Sequence, residues 1–203
     1  MAESGCLKDG HFQNLEVVNT TILDTGNTTM TGSLTVTGNT GLTPGSGFSS
    51  AALFKSWRTS NGGQVITTVL IDLTGVNSGG GATDIIGNNS AASANIGQYT
   101  TAVMGTLYAV HMSCIETPTG GEPNINLSFA DQENLAEDSA IGSGTNNGVL
   151  ITAAGDLEAG AVVWGTDISS LSQNQYFYLS TGDGGTDHVY TAGVIKIEFY
   201  GTA

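Results

Sequence analysis

The sequence predicts an all-β chain: an antiparallel β-sandwich or jelly-roll domain preceded by an extended β-stalk or arm. Three observations point there. From Gly63 onward, runs of four to eight β-forming residues alternate with clusters of Gly and Asn, the spacing of a sandwich rather than of βαβ units. No amphipathic helical stretch separates those runs, which excludes the alternation expected of a parallel sheet. The composition agrees, with 30 glycines, much Thr, Ser and Asn, and only 11% charged residues in 203, which suits strands and turns.

Taken in order, residues 1–11 form a polar N-terminal tail. Residues 12–44 are a Thr/Gly/Asn-rich arm in which Asn-Thr-x-apolar recurs three times, at Asn19, Asn27 and Asn39. Thr favours extended backbone and the Gly-Asn pairs supply turns, so short strands are expected. One apolar residue per repeat cannot offset an ordering cost of roughly 1–2 kcal/mol per residue. The arm therefore needs a partner, either further copies of itself or another protein's surface, along which it could reach about 110 Å. Residues 45–50, within the run TPGSGFSS, read as a hinge because Pro and Gly break regular structure.

The sandwich is expected over residues 51–203. AALFKSW (51–57) fits either a helical turn or an irregular plug. QVITTVLIDL places Val65, Thr67, Val69, Ile71 and Leu73 on one face. GTLYAVHMSCIE sets Leu107, Ala109, His111 and Ser113 against Tyr108, Val110, Met112 and Cys114. NINLSFA directs Ile125, Leu127 and Phe129 inward with Asn124, Asn126 and Ser128 outward, and GVIKIEFYG directs Ile195, Ile197 and Phe199 inward with Lys196 and Glu198 outward. VLITAAG, AVVWG and QYFYLSTG are three further strand candidates.

The charge balance narrows the function. Eighteen Asp and Glu against four Lys and Arg give a formal net charge of -14. Nucleic-acid binding needs cations to neutralise phosphates, and four scattered ones make no basic patch, so no nucleic-acid partner is expected. The leader lacks the apolar run of a secretory signal and no stretch approaches 18 apolar residues, so no membrane partner is expected either. Cys6 and Cys114 read as free thiols of a protein made in a reducing cytoplasm.

No G-x-S-x-G elbow, phosphate-binding loop or H-E-x-x-H pair is present, so no catalytic residue, cofactor or metal ligand is nominated and the chain reads as a non-enzyme. His111 reads as a core-edge or interface histidine. The acidic loops ADQENLAED and STGDGGTDH read as solvated turns, with Ca²⁺ binding as the lesser alternative. A glycan hydrolase reading would use acid residues such as Glu116 and Glu122 as a carboxylate pair, but nothing in the sequence positions them.

The segment LEVVNTTILDTGNTTMTGSLTVTGNTGLT resembles the Thr/Gly-rich leaders of structural proteins in tailed bacteriophages of marine and cyanobacterial type, and SCIETPTGGEPNINLSFADQEN is similar in style to virion proteins of those phages. The resemblance implies a homotrimeric virion component, assembled in the host cytoplasm, and names no catalytic residue. Three arms wound together could bring Ile22, Met30, Leu34, Val36 and Leu42 to a common axis, or those residues could contact the capsid. The leading expectation is a capsid decoration (cement) protein that binds the major capsid protein on the outer capsid surface and stabilises the shell. The alternative is a tail-fibre or head-fibre tip that recognises a host-surface receptor, with Tyr176, Tyr178, Tyr190 and Trp164 as candidate sugar platforms.

Overall fold

A computed structural model describes residues 41–89, 92–165, 168–185 and 187–203. Nine strands run through them: β1 (Leu53–Asn61), β2 (Gln64–Asp72), β3 (Asn95–Gln98), β4 (Thr106–Thr119), β5 (Ile125–Ala130), β6 (Gly148–Ile151), β7 (Val162–Trp164), β8 (Tyr176–Thr181) and β9 (Ala192–Thr202). They form two antiparallel sheets, a five-stranded one in the order β1-β2-β9-β4-β7 and a four-stranded one in the order β3-β8-β5-β6. The described residues are nearly all β, with one short α-helix at Thr101–Met104, as the alternating runs predict.

The pairing has a simple logic. β5 pairs with β6, β4 with β7, β3 with β8 and β2 with β9. These are nested pairs, as in one long hairpin folded over on itself, and alternate pairs fall in opposite sheets. Strands β2–β9 thus wind as a jelly roll, with β1 added at one edge.

The inward faces pack as the period-2 pattern requires. Val69, Ile71, Met112, Ile195, Ile197 and Phe199 of the five-stranded sheet and Ile125, Leu127, Phe177 and Leu179 of the four-stranded sheet share one core. Phe177 and Phe199 meet across it with ring centroids 4.5 Å apart, a distance at which aromatic pairs add to simple burial.

β1 replaces the helical turn or plug considered for residues 51–57. Its charged residues fall on both faces: Phe54, Ser56 and Arg58 lie opposite Ile71, Val69 and Thr67, whereas Lys55, Trp57 and Thr59 lie opposite Leu70, Thr68 and Ile66. Such charges are tolerated on an edge strand, which is half solvated and gains from being an unattractive template. Gly62 and Gly63, with φ of 57° and 87°, close the β1–β2 hairpin, the left-handed pair that a two-residue turn demands.

β4 also departs from its expected phase. The ladder to β9 shifts register between Leu107 and Ala109, so Leu107 is buried with Val110, Met112 and Cys114 while Tyr108 is exposed. A bulge inserts one residue and reverses the alternation beyond it, which exchanges the expected sides of Leu107 and Tyr108.

Residues 45–50 are packed rather than hinge-like. Ser46–Phe48 form a 3-10 turn with Gly47 and Phe48 buried, and the amides of Gly45 and Gly47 donate to the carbonyls of Asn95 and Ser93. Leu42 likewise belongs to the sandwich. It is 7% exposed within the main core, and its amide donates to Ser56 Oγ at 2.8 Å. A side chain on Gly97 would collide with Leu42, and Gly97 has φ of 134°, so glycine at that position is what admits the incoming chain.

Candidate functional site: the outer face of the five-stranded sheet

The two sheets treat their outer faces differently. On the four-stranded sheet, Asn126, Ser128 and Ser180 are buried instead of solvated, because loop residues Ile85, Ala94, Leu135 and Ile141 cover that face beside Tyr178. Three of its polar side chains find internal partners: Ser128 and Ser180 share a 2.7 Å hydrogen bond, and Asn126 Oδ1 accepts from the Ala153 amide at 2.9 Å, whereas the buried Asn124 Oδ1 has none. The loop ADQENLAED, expected as a solvated turn, contributes Leu135 to this cover.

The five-stranded sheet leaves its outer face more open, with Trp57, Tyr108 and Trp164 exposed and Lys196, Glu198 and Tyr200 half-buried, although Thr68 between them is buried. One row crosses all its strands: Trp57, Thr68, Glu198, His111 and Trp164 lie opposite one another in turn. The adjacent row holds Ile66, Tyr200 and Ala109, with the bulge residue Tyr108 beside them. Trp164 is 56% exposed and Tyr108 52%. The Trp164 ring is braced by His111, centroid 4.7 Å away, and lies nearly parallel to Tyr200 at 6.2 Å and 24°. Tyr108 extends the group, its ring 6.4 Å from Tyr200 and its hydroxyl accepting from Gln64 Nε2 at 2.8 Å.

Polar groups thread through these rings. Glu198 Oε2 is 2.7 Å from His111 Nε2 and 2.8 Å from Lys196 Nζ. The close His111–Glu198 pair would be an ion pair if the imidazole were charged, but burial, partly offset by the Glu198 charge, holds the His111 pKa below 6.5. Neutral His111 then donates Nε2–H to Glu198, and its buried Nδ1 has no hydrogen-bond partner. Burial, with the Glu198 charge second, raises the Tyr200 pKa, so its hydroxyl stays protonated and can donate.

Charge is segregated across the domain. Every Lys and Arg among the described residues lies on this sheet, Lys55 and Arg58 on β1 and Lys196 on β9. Asp72, Glu116 and Glu198 are the carboxylates on its strands, and all other described carboxylates sit in loops and turns. In one such turn Glu122 has its pKa raised by burial first and then by the neighbouring Asp183 and Asp156. Those two are the carboxylates that face it.

Among the aromatic residues considered as platforms, Tyr178 and Tyr190 are fully buried and Tyr176 partly so, which leaves Trp164. Tyr178 and Tyr190 hold the core through hydroxyls that donate to the carbonyls of Gln132 and Glu122. Leu42 is corrected from a trimer or capsid contact to a core residue of its own chain, whereas Ile22, Met30, Leu34 and Val36 lie outside the described residues. Among the described residues no group of three or more His, Cys, Asp or Glu is placed to hold a metal ion, and no helix is long and apolar enough to cross a membrane. Cys114 is a buried free thiol whose pKa is pushed up by burial and then by Glu116, and Cys6 lies outside the described residues.

Sequence reasoning missed Tyr108, Tyr200 and the Glu198 bridge as parts of one site. Lys196 and Glu198 are read as outward in GVIKIEFYG, and the same alternation extends to Tyr200, but their neighbours on β4 and β7 depend on the pairing order. No family model, no curated protein and no solved structure matches this chain.

Proposed function

We propose that this chain is a virion structural protein: a capsid decoration protein that sits as a homotrimer on the outer capsid surface, bound to the major capsid protein through its N-terminal arm, and stabilises the shell. The observation that carries this reading is where the arm joins. Gly41 packs against Ser56 and Trp57 of β1, between Lys55 and Arg58, on the sheet that gathers the described cations. The three cations of this sheet balance the three carboxylates on its strands, so an acidic shell is repelled less by this side than by the carboxylate-bearing loops. The nested β-core gives the arm a rigid body to anchor, and the arm's own composition calls for a partner. Fold alone supports no function.

The test is occupancy on capsids that lack the protein, comparing the full chain with one that begins at Gly41. The shortened chain keeps Leu42 and the whole core, so it should melt as a folded domain yet lose most of its occupancy. The full chain should bind with little dependence on salt, because strand pairing and small apolar anchors are not screened as charge contacts are. Equal occupancy of the two chains overturns the proposal. Sedimentation equilibrium should give three times 20.6 kDa, and a monomer at micromolar concentration would remove the trimer.

The exposed aromatic group favours a second reading, a tail-fibre or head-fibre tip that recognises a host-surface receptor. Copies over the whole shell identify decoration, whereas copies at one vertex or on the tail identify a fibre.

A further inference from the structure

We propose that the β7 side of the open sheet face, built from Trp164, Tyr200, Tyr108, Glu198 and Lys196, is a binding site for a neutral oligosaccharide or polysaccharide. A sugar ring offers an apolar C–H face and a rim of hydroxyls. It needs a flat exposed ring to lie on and donors and acceptors beside that ring. Trp164 is the most exposed large apolar side chain among the described residues, at 56%, and it is held in place by His111 and Tyr200. That bracing lowers the ordering cost of binding.

The hydroxyl-reading groups are also in place. Glu198 uses Oε2 for His111 and Lys196, which leaves Oε1 as an acceptor. The Tyr108 hydroxyl accepts from Gln64 and still has its proton to donate.

Charge decides between ligands that stack on aromatic rings. A nucleic-acid strand would also stack, but its phosphates would meet a chain of net charge -14, with Lys196 already committed to Glu198. Anionic lipid and sulfated or sialylated glycans are disfavoured in the same way. Like charge disfavours a second copy of this domain as the occupant of this particular face, and the charges inside the site are balanced by one another. The occupant that fits is uncharged and hydroxyl-rich.

Position fits display as well. Trp164 lies four strands from β1, where the arm joins, which at a strand spacing of about 4.8 Å is roughly 19 Å across the sheet, while the β9 residues of the site lie two strands, about 10 Å, from β1.

The experiment is isothermal titration calorimetry of the full chain with cello-, malto-, manno- and chito-oligosaccharides and, as a polyanion control, heparin. One neutral series should bind with a Kd between about 10 μM and 1 mM, with little dependence on salt. Trp164→Ala should weaken that binding by about tenfold or more, as loss of an aromatic anchor does, and Glu198→Gln by less. Trp57→Ala, an exposed aromatic at the opposite edge of the same face, should leave it unchanged. Thermal melts should show all three variants folded. No heat with any neutral series at about 10 mM, binding to heparin alone, or unchanged affinity in folded Trp164→Ala each overturns the proposal. Loss of capsid occupancy in Trp164→Ala, with no sugar bound by the unsubstituted chain, would make the face a protein contact and also overturn it. A failed sugar titration leaves the arm-truncation result untouched, so the two proposals fall separately.

Discussion

The outer faces of the two sheets begin from the same kind of sequence and end in opposite environments. NINLSFA and GVIKIEFYG both alternate apolar with polar residues, yet Asn126 and Ser128 are buried under loops while Lys196, Glu198 and Tyr200 remain partly open. The difference lies in side-chain size and charge. Small hydroxyl and amide groups such as Ser128, Ser180 and Asn126 can be covered because they find internal hydrogen bonds, whereas covering a Lys–Glu pair costs more desolvation than the pair returns. A face lined by Asn and Ser can take a third layer; a face lined by Lys, Glu and Tyr stays available for a partner.

The largest expected effect sets the inward face against the open one on a single strand. Ile197 is fully buried on β9, between β2 and β4, so Ile197→Asp should cost more than about 4 kcal/mol and abolish the near-UV circular dichroism of the folded state. Its neighbour Lys196→Ala should cost no more than about 0.5 kcal/mol in a denaturant melt, since its ion pair is partly solvated. Comparable losses at the two positions would mean the strand is buried on both faces.

Next in size, Leu42→Ala should cost about 2–4 kcal/mol in the same melt, the range for truncating a buried leucine whose site relaxes partly. A loss below about 0.5 kcal/mol, the range of a surface change, would return Leu42 to the arm. Ser128→Ala should cost about 1–3 kcal/mol, because the Ser180 hydroxyl is left buried without a partner. Ser113→Ala, at an outward position of the open sheet, should stay within about 0.5 kcal/mol. Equal costs for the two serines would erase the contrast between the faces.

The smallest effect is in pH dependence. Burial outweighs the attraction of Glu198 and keeps the folded His111 pKa below 6.5, so the unfolded chain takes up this proton first as pH falls. The stability present above about 6.5 should be lost as pH drops through that value towards the folded pKa, and then level off. His111→Gln should flatten this part of the curve. An unchanged slope in Tm between pH 7 and pH 5 would show that His111 does not set it.

Legibility in the sequence followed the reach of each interaction. The inward faces of β2, β5 and β9 could be read because period 2 is a local property of the chain. β1 was hidden because Lys55 and Arg58 break the alternation, and their tolerance comes from the edge position. β3 was hidden because Gly97 interrupts its four residues for the sake of Leu42, a contact made over a long separation. Tyr108 changed sides through a bulge that no local pattern announces. The candidate site was half legible: the outward set on β9 and the exposed Trp164 could be named, but their assembly around His111 required the order β9-β4-β7.

The nested winding also sets a schedule. The innermost pair, β5 with β6, closes a short stretch of chain, whereas β2 must wait for β9, which is the last of the described strands to leave the ribosome and occupies the middle of its sheet. Loop closure and contact order both predict slow completion of the fold, with the local pairs formed before the distant ones. Until β9 inserts, β2 and β4 each present a bare apolar edge, and any chain broken off before Ala192 would carry both edges permanently. Incomplete chains should therefore aggregate through those edges instead of persisting as smaller folded pieces. High local concentration during synthesis would make this strand's arrival the step at which yield is decided.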